Sequence, residues 1–146
     1  MTNAKFATNA KFAGLGLAVE TPARVNLLHP VSRKPLVDKA GNPAWVDVWS
    51  MDSDRAREHV RAAARRRVES KARMDIEDME AGQTDLLAAL TAGWHLVGLD
   101  GSPLDVPFTP ENARELYGTA AVTWIREQVD VAVNERANFA PASPKN

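Results

Sequence analysis

The sequence contains no cysteine, and this absence excludes two classes of small protein. A disulfide-stabilised scaffold and a zinc domain with thiolate ligands both require that residue. A chain of 146 residues is long enough to bury a core without such cross-links, at roughly two thirds of its unfolded surface. Apolar residues make up 45% of the sequence, so burial of these side chains is the expected source of stability.

Long apolar runs and an excess of charge of either sign are also missing. No segment reaches the roughly 18 consecutive apolar residues of a membrane span, so no membrane association is expected. The 18 basic and 19 acidic side chains give a net charge of -1. A general polyanion-binding domain is usually clearly basic, so this balance argues against one.

The first residues repeat a six-residue unit. Residues 2–7 read TNAKFA, and residues 8–13 repeat the same six letters. Two copies of so short a unit cannot build a solenoid, and chain termini tolerate such duplications. We predict a flexible arm over residues 1–18 that is not a secretory signal. The alternative is an arm that holds a partner through Phe6 and Phe12.

Residues 23–49 predict β-structure. The segments 23–28 and 44–49 are rich in Val, Leu and Trp, and the sequence DKAGNP between them is typical of a turn. Two or three short antiparallel strands follow from this pattern. Because an isolated hairpin is marginal in water, the sheet is expected to pack against helices.

Residues 54–80 contain neither Gly nor Pro and predict a long helix. Residues 52–54 (DSD) supply acceptor side chains for its start. Its apolar residues follow one another at spacings of four, so the stripe winds around the helix and only partial burial is expected. We expect Gly82 to end this helix, and a second helix that carries Trp94 to begin near Thr84.

Two further helices are predicted in the last third of the chain. Residues 109–111 (TPE) mark a helix start, because Thr is a good cap and Pro is favoured at the first helical position. That helix is expected to stop near Gly118, and one more follows it. The predicted fold class is α+β, a small N-terminal antiparallel sheet followed by a mainly helical region of about four helices. We place it in one domain over residues 19–139, with a flexible Pro-rich tail over residues 140–146.

The last helix has the clearest amphipathic pattern, with apolar residues at spacings of three and four. This stripe predicts burial against the domain, at about 1.5–3 kcal/mol for each fully buried side chain. Trp124 lies beside the stripe, so the alternative is a partner-binding edge, where aromatic residues are enriched. The candidate partner-binding residues are Val122, Trp124, Ile125, Arg126, Val129, Arg136 and Phe139.

The residue sets that carry known chemistry are not recognisable here. His29, His59 and His95 lie in three segments and lack the spacing of a zinc-binding helix. The acidic residues 75–80 fall in a helical run rather than in a calcium-binding loop, and no serine lies in a GxSxG context. We therefore expect a protein that is not an enzyme and that needs no metal or cofactor.

A basic segment is followed directly by an acidic one. Residues 55–73 carry seven arginines and Lys71 against Glu58 and Glu69, whereas residues 75–85 carry five acids and no base. Three interpretations stay open: a solvated helix surface, contacts with a protein partner or between copies of this chain, and nucleic-acid binding. The third is the least favoured, because the cations lie all around the helix and no aromatic residue is interleaved for base stacking.

The order of motifs in the second half resembles one group of tail assembly chaperones of long-tailed bacteriophages. The similarity covers roughly residues 91–139 and consists of short motifs in a fixed order. These motifs are Gly93-Trp94, the turn Asp100-Gly101, Asn112-Ala113 with Leu116-Tyr117, and Arg136-x-Asn138-Phe139 at the end of the last helix. The duplicated N-terminal hexapeptide has no counterpart in the family pattern.

This resemblance implies a non-catalytic assembly factor of the host cell cytoplasm. Such chaperones bind the tape measure protein, keep it soluble and assist polymerisation of the tail tube protein around it, and they are absent from the mature virion. The alternatives are a phage structural protein, such as a tail or head-completion subunit, and a nucleic-acid-binding regulator that uses residues 55–73.

Overall fold

The computed structural model describes residues 10–70 and 75–141, and it confirms the predicted α+β class. Three strands and four α-helices are found in these residues. In chain order they are β1 (Ala23–Asn26), β2 (Trp45–Val48), α1 (Asp54–Ser70), α2 (Ile76–Ala89), β3 (Thr91–His95), α3 (Pro110–Gly118) and α4 (Thr123–Asn134). Short 3-10 turns cover Ala10–Leu15, Ala120–Val122 and Arg136–Phe139. The first copy of the hexapeptide and residues 142–146 of the tail lie outside the described residues.

The strands form an antiparallel sheet in the order β1-β2-β3, with β2 in the centre. Val46 and Val48 of β2 are fully buried on the inner face of the sheet, toward the helices. The outer face carries a polar stack, in which the Arg24 guanidinium lies 3.6 Å from the Trp45 ring centroid. The same guanidinium donates to the Asp47 carboxylate at 2.9 and 3.1 Å. The sheet is therefore apolar on one face and polar on the other, as expected for a sheet covered on one side.

The third strand corrects the prediction that Trp94 belongs to a helix. Residues 86–92 have helical composition, but α2 ends at Ala89 and the chain then pairs with β2. Pairing places Trp94 on the buried face opposite Val46, and its indole Nε1 donates to the Val106 carbonyl at 2.8 Å. Burial of a tryptophan and a completed strand ladder outweigh a weak local helix preference.

The boundary between α1 and α2 also differs from the prediction. Asp75 has an extended backbone and is the N-cap of α2, so the helix predicted over residues 54–80 is not continuous. Asp75 and Asp78 form a reciprocal capping box, with N–H···O distances of 2.8 and 3.3 Å. Gly82, which was expected to end a helix, lies inside α2. The Asp75–Asp78 capping box therefore sets the start of α2. Gly82 alone does not interrupt this helix.

Helix α1 is only partly buried, as predicted, and its apolar stripe is exposed at Val60 and Val68. Ala56 is its only buried residue, and Val68 is 75% exposed. Ile76 and Met79 at the start of α2 are also mostly exposed. Of the helices in the described residues, none is both long enough and apolar enough to cross a membrane.

Helices α3 and α4 begin and pack as their sequences predict. The Thr109 side chain accepts from Asn112 N at 3.0 Å, and Pro110 is the first residue of α3. The predicted stripe of α4 is buried at Ile125, Val129 and Val133, whereas Val122 before the helix is only partly buried. The core thus forms between the inner face of the sheet and the apolar sides of α2, α3 and α4.

A chain of buried hydrogen bonds joins three elements of this core. Thr91 Oγ1 donates to the Leu87 carbonyl at 2.8 Å and lies 2.7 Å from the Tyr117 hydroxyl. Because the threonine proton is used on Leu87, Tyr117 is the donor in the second bond. The link ties the end of α2, the start of β3 and the end of α3 together.

Two valines of α4 provide a matched test of this packing. Val129 is 1% exposed and Val131 is 67% exposed. Val129→Asp places an unpaired carboxylate in the core, so we expect a loss of about 3 kcal/mol or more in unfolding free energy, or no folding. Val131→Asp leaves its charge in solvent near Glu127 and Glu135, so it should cost at most about 1 kcal/mol. Urea unfolding followed by circular dichroism measures both, and equal effects would contradict the described orientation of α4.

The single tyrosine of the chain provides a pH test of the buried link. Burial raises the pKa of Tyr117 to about 12. An unfolded tyrosine titrates near pH ~10, so the folded state holds this proton more tightly. The corresponding stability is full below about pH 10 and is lost as the pH rises through about 12, by roughly 2–3 kcal/mol in total.

Ultraviolet absorbance of the tyrosinate measures this titration without interference from a second tyrosine. We expect little tyrosinate in the folded protein at about pH 10 and a sharp increase on unfolding. Tyr117→Phe should remove this part of the alkaline destabilisation while lowering stability at neutral pH by about 1 kcal/mol. Half-titration of the folded protein near pH ~10 would show that the hydroxyl is not buried.

Candidate protein-binding groove

The structure separates the seven candidate partner-binding residues into two groups. Ile125, Val129 and Phe139 are 6%, 1% and 2% exposed and belong to the core, so they do not form a free binding surface. The apolar stripe of α4 is buried, as its spacing predicted, so the alternative of a partner-binding edge does not apply to Ile125 and Val129. The residues that keep accessible side chains are Val122, Trp124, Arg126 and Arg136.

Two of these accessible residues hold elements of the domain together. Arg136 donates to the Asp52 carboxylate at 2.9 and 3.2 Å, and this bond is the main cause of the lowered pKa of Asp52. It joins the end of the described chain to the turn before α1. Arg126 Nη2 donates to Gln83 Oε1 at 3.2 Å and connects α4 to α2. Exposed pairs of this kind contribute about 0–1 kcal/mol each.

Trp124 lines a groove of about 360 Å³ between β1 and α4. We call this the β1–α4 groove. One wall comes from β1 and the loop after it, and the other from α4 and the turn that follows. Its lining residues are Val25, Asn26, Leu28, Arg33, Trp124, Glu127, Gln128, Val131, Ala132, Glu135 and Asn138.

The strand along this groove has an open backbone edge. Leu27 N donates to Ala44 O at 2.9 Å, which fixes the alternation of the ladder between β1 and β2. Residues 23, 25 and 27 therefore bond to β2, whereas Arg24 and Asn26 direct their N–H and C=O groups away from it. In residues 10–70 and 75–141 these outward groups have no hydrogen-bond partner. Such an edge can accept another extended chain.

A glutamine side chain closes the same edge two residues beyond Asn26, at Leu28. Leu28 N donates to Gln128 Oε1, and Gln128 Nε2 donates to Leu28 O, both at 2.9 Å. The primary amide thus takes the place that a neighbouring strand would occupy. It fixes α4 beside β1 and leaves the positions of Arg24 and Asn26 open.

The loop after β1 presents Arg33 at the other end of the groove. Arg33 has a φ of 63°, a left-handed conformation that is unusual for a residue with a side chain. His29 stabilises this loop, because its Nδ1 accepts from Val31 N and Ser32 N and its carbonyl accepts from Arg33 N at 3.0 Å. Strained backbone of this kind often lies at ligand-binding positions.

The groove combines apolar surface with an acidic wall. Val131 is 67% exposed and Trp124 is partly buried. Glu127 and Glu135 line the same groove, and Arg33 contributes to it from the loop after β1. The groove therefore has the chemistry to hold an extended segment with apolar and basic side chains.

The histidines do not come together. His29 stabilises its loop, His59 lies on α1, and His95 Nε2 lies 3.4 Å from Asp38 Oδ2 at the edge of the sheet. The pKa of Asp38 is lowered, first by the backbone N–H of Asn42 and then by the contact with His95. In the described part of the chain, no group of three His, Asp or Glu side chains is placed to hold a metal ion.

Sequence reasoning found Trp124 but missed the rest of the groove. The groove brings β1 beside α4, and the Gln128 bridge joins residues 100 positions apart. No local sequence pattern predicts which distant residues come into contact. Comparison of the chain with protein-family models, with curated proteins and with solved structures found no match.

Replacement of Gln128 tests the edge. Gln128→Ala removes both hydrogen bonds to Leu28, so we expect a loss of about 1–3 kcal/mol in unfolding free energy and faster hydrogen exchange at the Leu28 amide. Glu127→Ala is the matched control, since this neighbouring side chain makes no hydrogen bond in the described residues. Unchanged exchange at Leu28 in Gln128→Ala would show that the bridge is not formed in solution.

Proposed function

We propose that this chain is a tail assembly chaperone of a long-tailed phage and that it binds the tape measure protein through the β1–α4 groove. The observation that carries the proposal is the edge of β1, unpaired at Arg24 and Asn26 within the described residues, next to the exposed apolar side of α4. Addition of a strand to such an edge is a common way for proteins to hold extended segments. The activity is non-catalytic, and the resemblance over residues 91–139 supports its assignment to tail assembly.

The chemistry of the groove defines the segment that it would bind. The backbone of an extended segment would pair with Arg24 and Asn26, and its alternate side chains would face Trp124 and Val131. Basic side chains would lie against Glu127 and Glu135. We therefore expect a segment of the tape measure protein in which apolar residues alternate with Lys or Arg.

The resemblance also supports where the protein would act. As a chaperone it would work in the host cell cytoplasm and leave before the tail is complete, with the tail tube protein as its second partner. A structural subunit would remain in the particle instead. Mass spectrometry of purified virions separates these alternatives, and the chain in stoichiometric amounts there would favour the structural role.

Co-expression with the tape measure protein of the same phage tests the binding. We expect the wild-type chain to keep that protein in the soluble fraction and to co-purify with it. Val131→Asp places a negative charge in the apolar part of the groove, so we expect at least a tenfold weaker interaction, about 1.4 kcal/mol or more. Val68→Asp is the control, because Val68 is also an exposed helical valine, 75% accessible, but lies on α1.

The outcomes separate the function from the site. If the wild-type chain neither solubilises nor binds the tape measure protein, the chaperone proposal is wrong. If it binds and Val131→Asp binds equally well, the function stands but the groove is not the binding site. A loss that is equal in Val131→Asp and Val68→Asp would indicate a general effect of added negative charge.

A further inference from the structure

A second cleft, of about 470 Å³, lies between α1, α2 and the start of α3. We call it the cationic cleft. Its polar lining is dominated by donors, and Asp85 is the one acid among the lining residues. The donors are Arg55, His59 and Arg66 of α1 and Arg114 of α3.

The geometry of α1 explains why these donors meet. At 100° per residue, His59 and Arg66 lie only about 40° and about 20° around the helix from Arg55. The three side chains therefore share one side of α1, and α3 brings Arg114 to the same cleft. The cations of α1 were expected all around the helix, but Arg55, His59 and Arg66 line the same cleft.

Within residues 10–70 and 75–141, no ion pair neutralises the charges of the cleft. Arg55 Nε donates to the Ala89 carbonyl at 2.7 Å, and its guanidinium lies 5.6 Å from the Trp49 ring centroid. This holds Arg55 in place. Within the described residues, Arg66 and Arg114 make neither an ion pair nor a hydrogen bond, and Asp85 pairs with none of them. Guanidinium groups gathered without partners repel one another, so a bound anion would stabilise the arrangement.

The remaining wall of the cleft is apolar. Ala88, Phe108 and Pro110 contribute to it, and the Phe108 ring is fixed by an edge-to-face contact with Trp94 at 5.2 Å between centroids. A volume near 470 Å³ lies within the range of small-molecule sites. The cleft thus offers a charged part and a rigid apolar part to one ligand.

We propose that the cationic cleft binds a small organic phosphate. Three guanidinium groups against the single Asp85 carboxylate leave two net positive charges before His59 is counted, which matches a phosphate dianion. Guanidinium groups bind phosphate through two parallel hydrogen bonds, a geometry that the point charge of lysine does not provide. Phe108 and Pro110 would contact the organic part of the ligand.

Calorimetric titration of the full chain with inorganic phosphate, pyrophosphate and AMP tests this proposal. We expect saturable binding with one site per chain, tighter for AMP than for inorganic phosphate because of the apolar wall. Arg66→Gln and Arg114→Gln should each weaken binding at least tenfold. Arg65→Gln removes the same charge from the same helix, outside the cleft, and should leave the affinity within about twofold.

Thermal unfolding provides a second readout, because the melting temperature can be measured both without ligand and with AMP. Because Arg66 and Arg114 have no partners in the described residues, their replacement by Gln should leave the melting temperature unchanged or slightly raised without ligand. Addition of AMP should raise the melting temperature of the wild-type chain but not of Arg66→Gln. A large loss of stability in Arg66→Gln would show that this side chain is structural.

Other results would overturn the proposal. Absence of binding to all three phosphates at millimolar concentration would mean that the cleft has no phosphate ligand. A single-stranded DNA oligonucleotide that binds, and loses affinity equally in Arg65→Gln and Arg66→Gln, would indicate a diffuse polyanion surface on α1 instead of a site.

Discussion

The buried hydrogen bonds from Tyr117 to Thr91 and from Thr91 to Leu87 determine how the second half of the chain is arranged. They fix the point at which α2 ends and β3 begins, and they hold α3 against that junction. The third strand can then complete the sheet, with Trp94 on its buried face. The same junction forms the floor of the cationic cleft, to which Ala89 and Thr91 both contribute. Pairing with β2 and burial of Trp94 thus favour the helix-to-strand transition, and the two buried hydroxyl groups hold α3 at that junction.

The two candidate binding surfaces differ in the chemical groups that they offer to a partner. The β1–α4 groove exists because the sheet has three strands and the edge of β1 is only partly closed by the Gln128 amide. Its unsatisfied groups are backbone N–H and C=O. The cationic cleft exists because α1 and α3 place like charges together, and Asp85 of α2 is the one acid among its lining residues. Its unsatisfied groups are guanidinium ions. An extended peptide suits the first, and a compact anion suits the second.

The motifs that carry the phage chaperone resemblance have mostly structural roles here. Trp94, Ala113, Tyr117 and Phe139 are buried, and Gly101 adopts a φ of 88°, which favours glycine. The Asn138 side chain donates to the Ala132 carbonyl at 3.1 Å and supports the turn after α4. The resemblance therefore concerns the residues that build the fold. The surfaces that would meet a partner lie mainly at other positions, which is why the proposed function depends on binding experiments.

The sequence by itself determined the features that rest on local interactions. The cap at Thr109 with Pro110, the end of α3 at Gly118 and the amphipathic stripe of α4 were all predicted, because each depends on residues within a turn or two. The α+β class followed from strand-type composition and a turn signal before residue 49 and from helix composition after it. The start of α2 was missed, although the Asp75–Asp78 capping box is local, because strong helix composition on both sides hid it.

Only the tertiary structure decided the features that depend on distant residues. β3 became a strand because β2 offered a partner and a buried position for Trp94. Phe139, a candidate interface residue, became part of the core, because the turn after α4 buries its ring. The edge of the β1–α4 groove is closed at Leu28 by Gln128 of α4. The cationic cleft forms where α3 brings Arg114 to the surface that Arg66 of α1 lines. Hydrophobic contacts and hydrogen bonds form between residues that are distant in the sequence. The sequence pattern therefore shows which residues are apolar or polar, but not which of them come into contact.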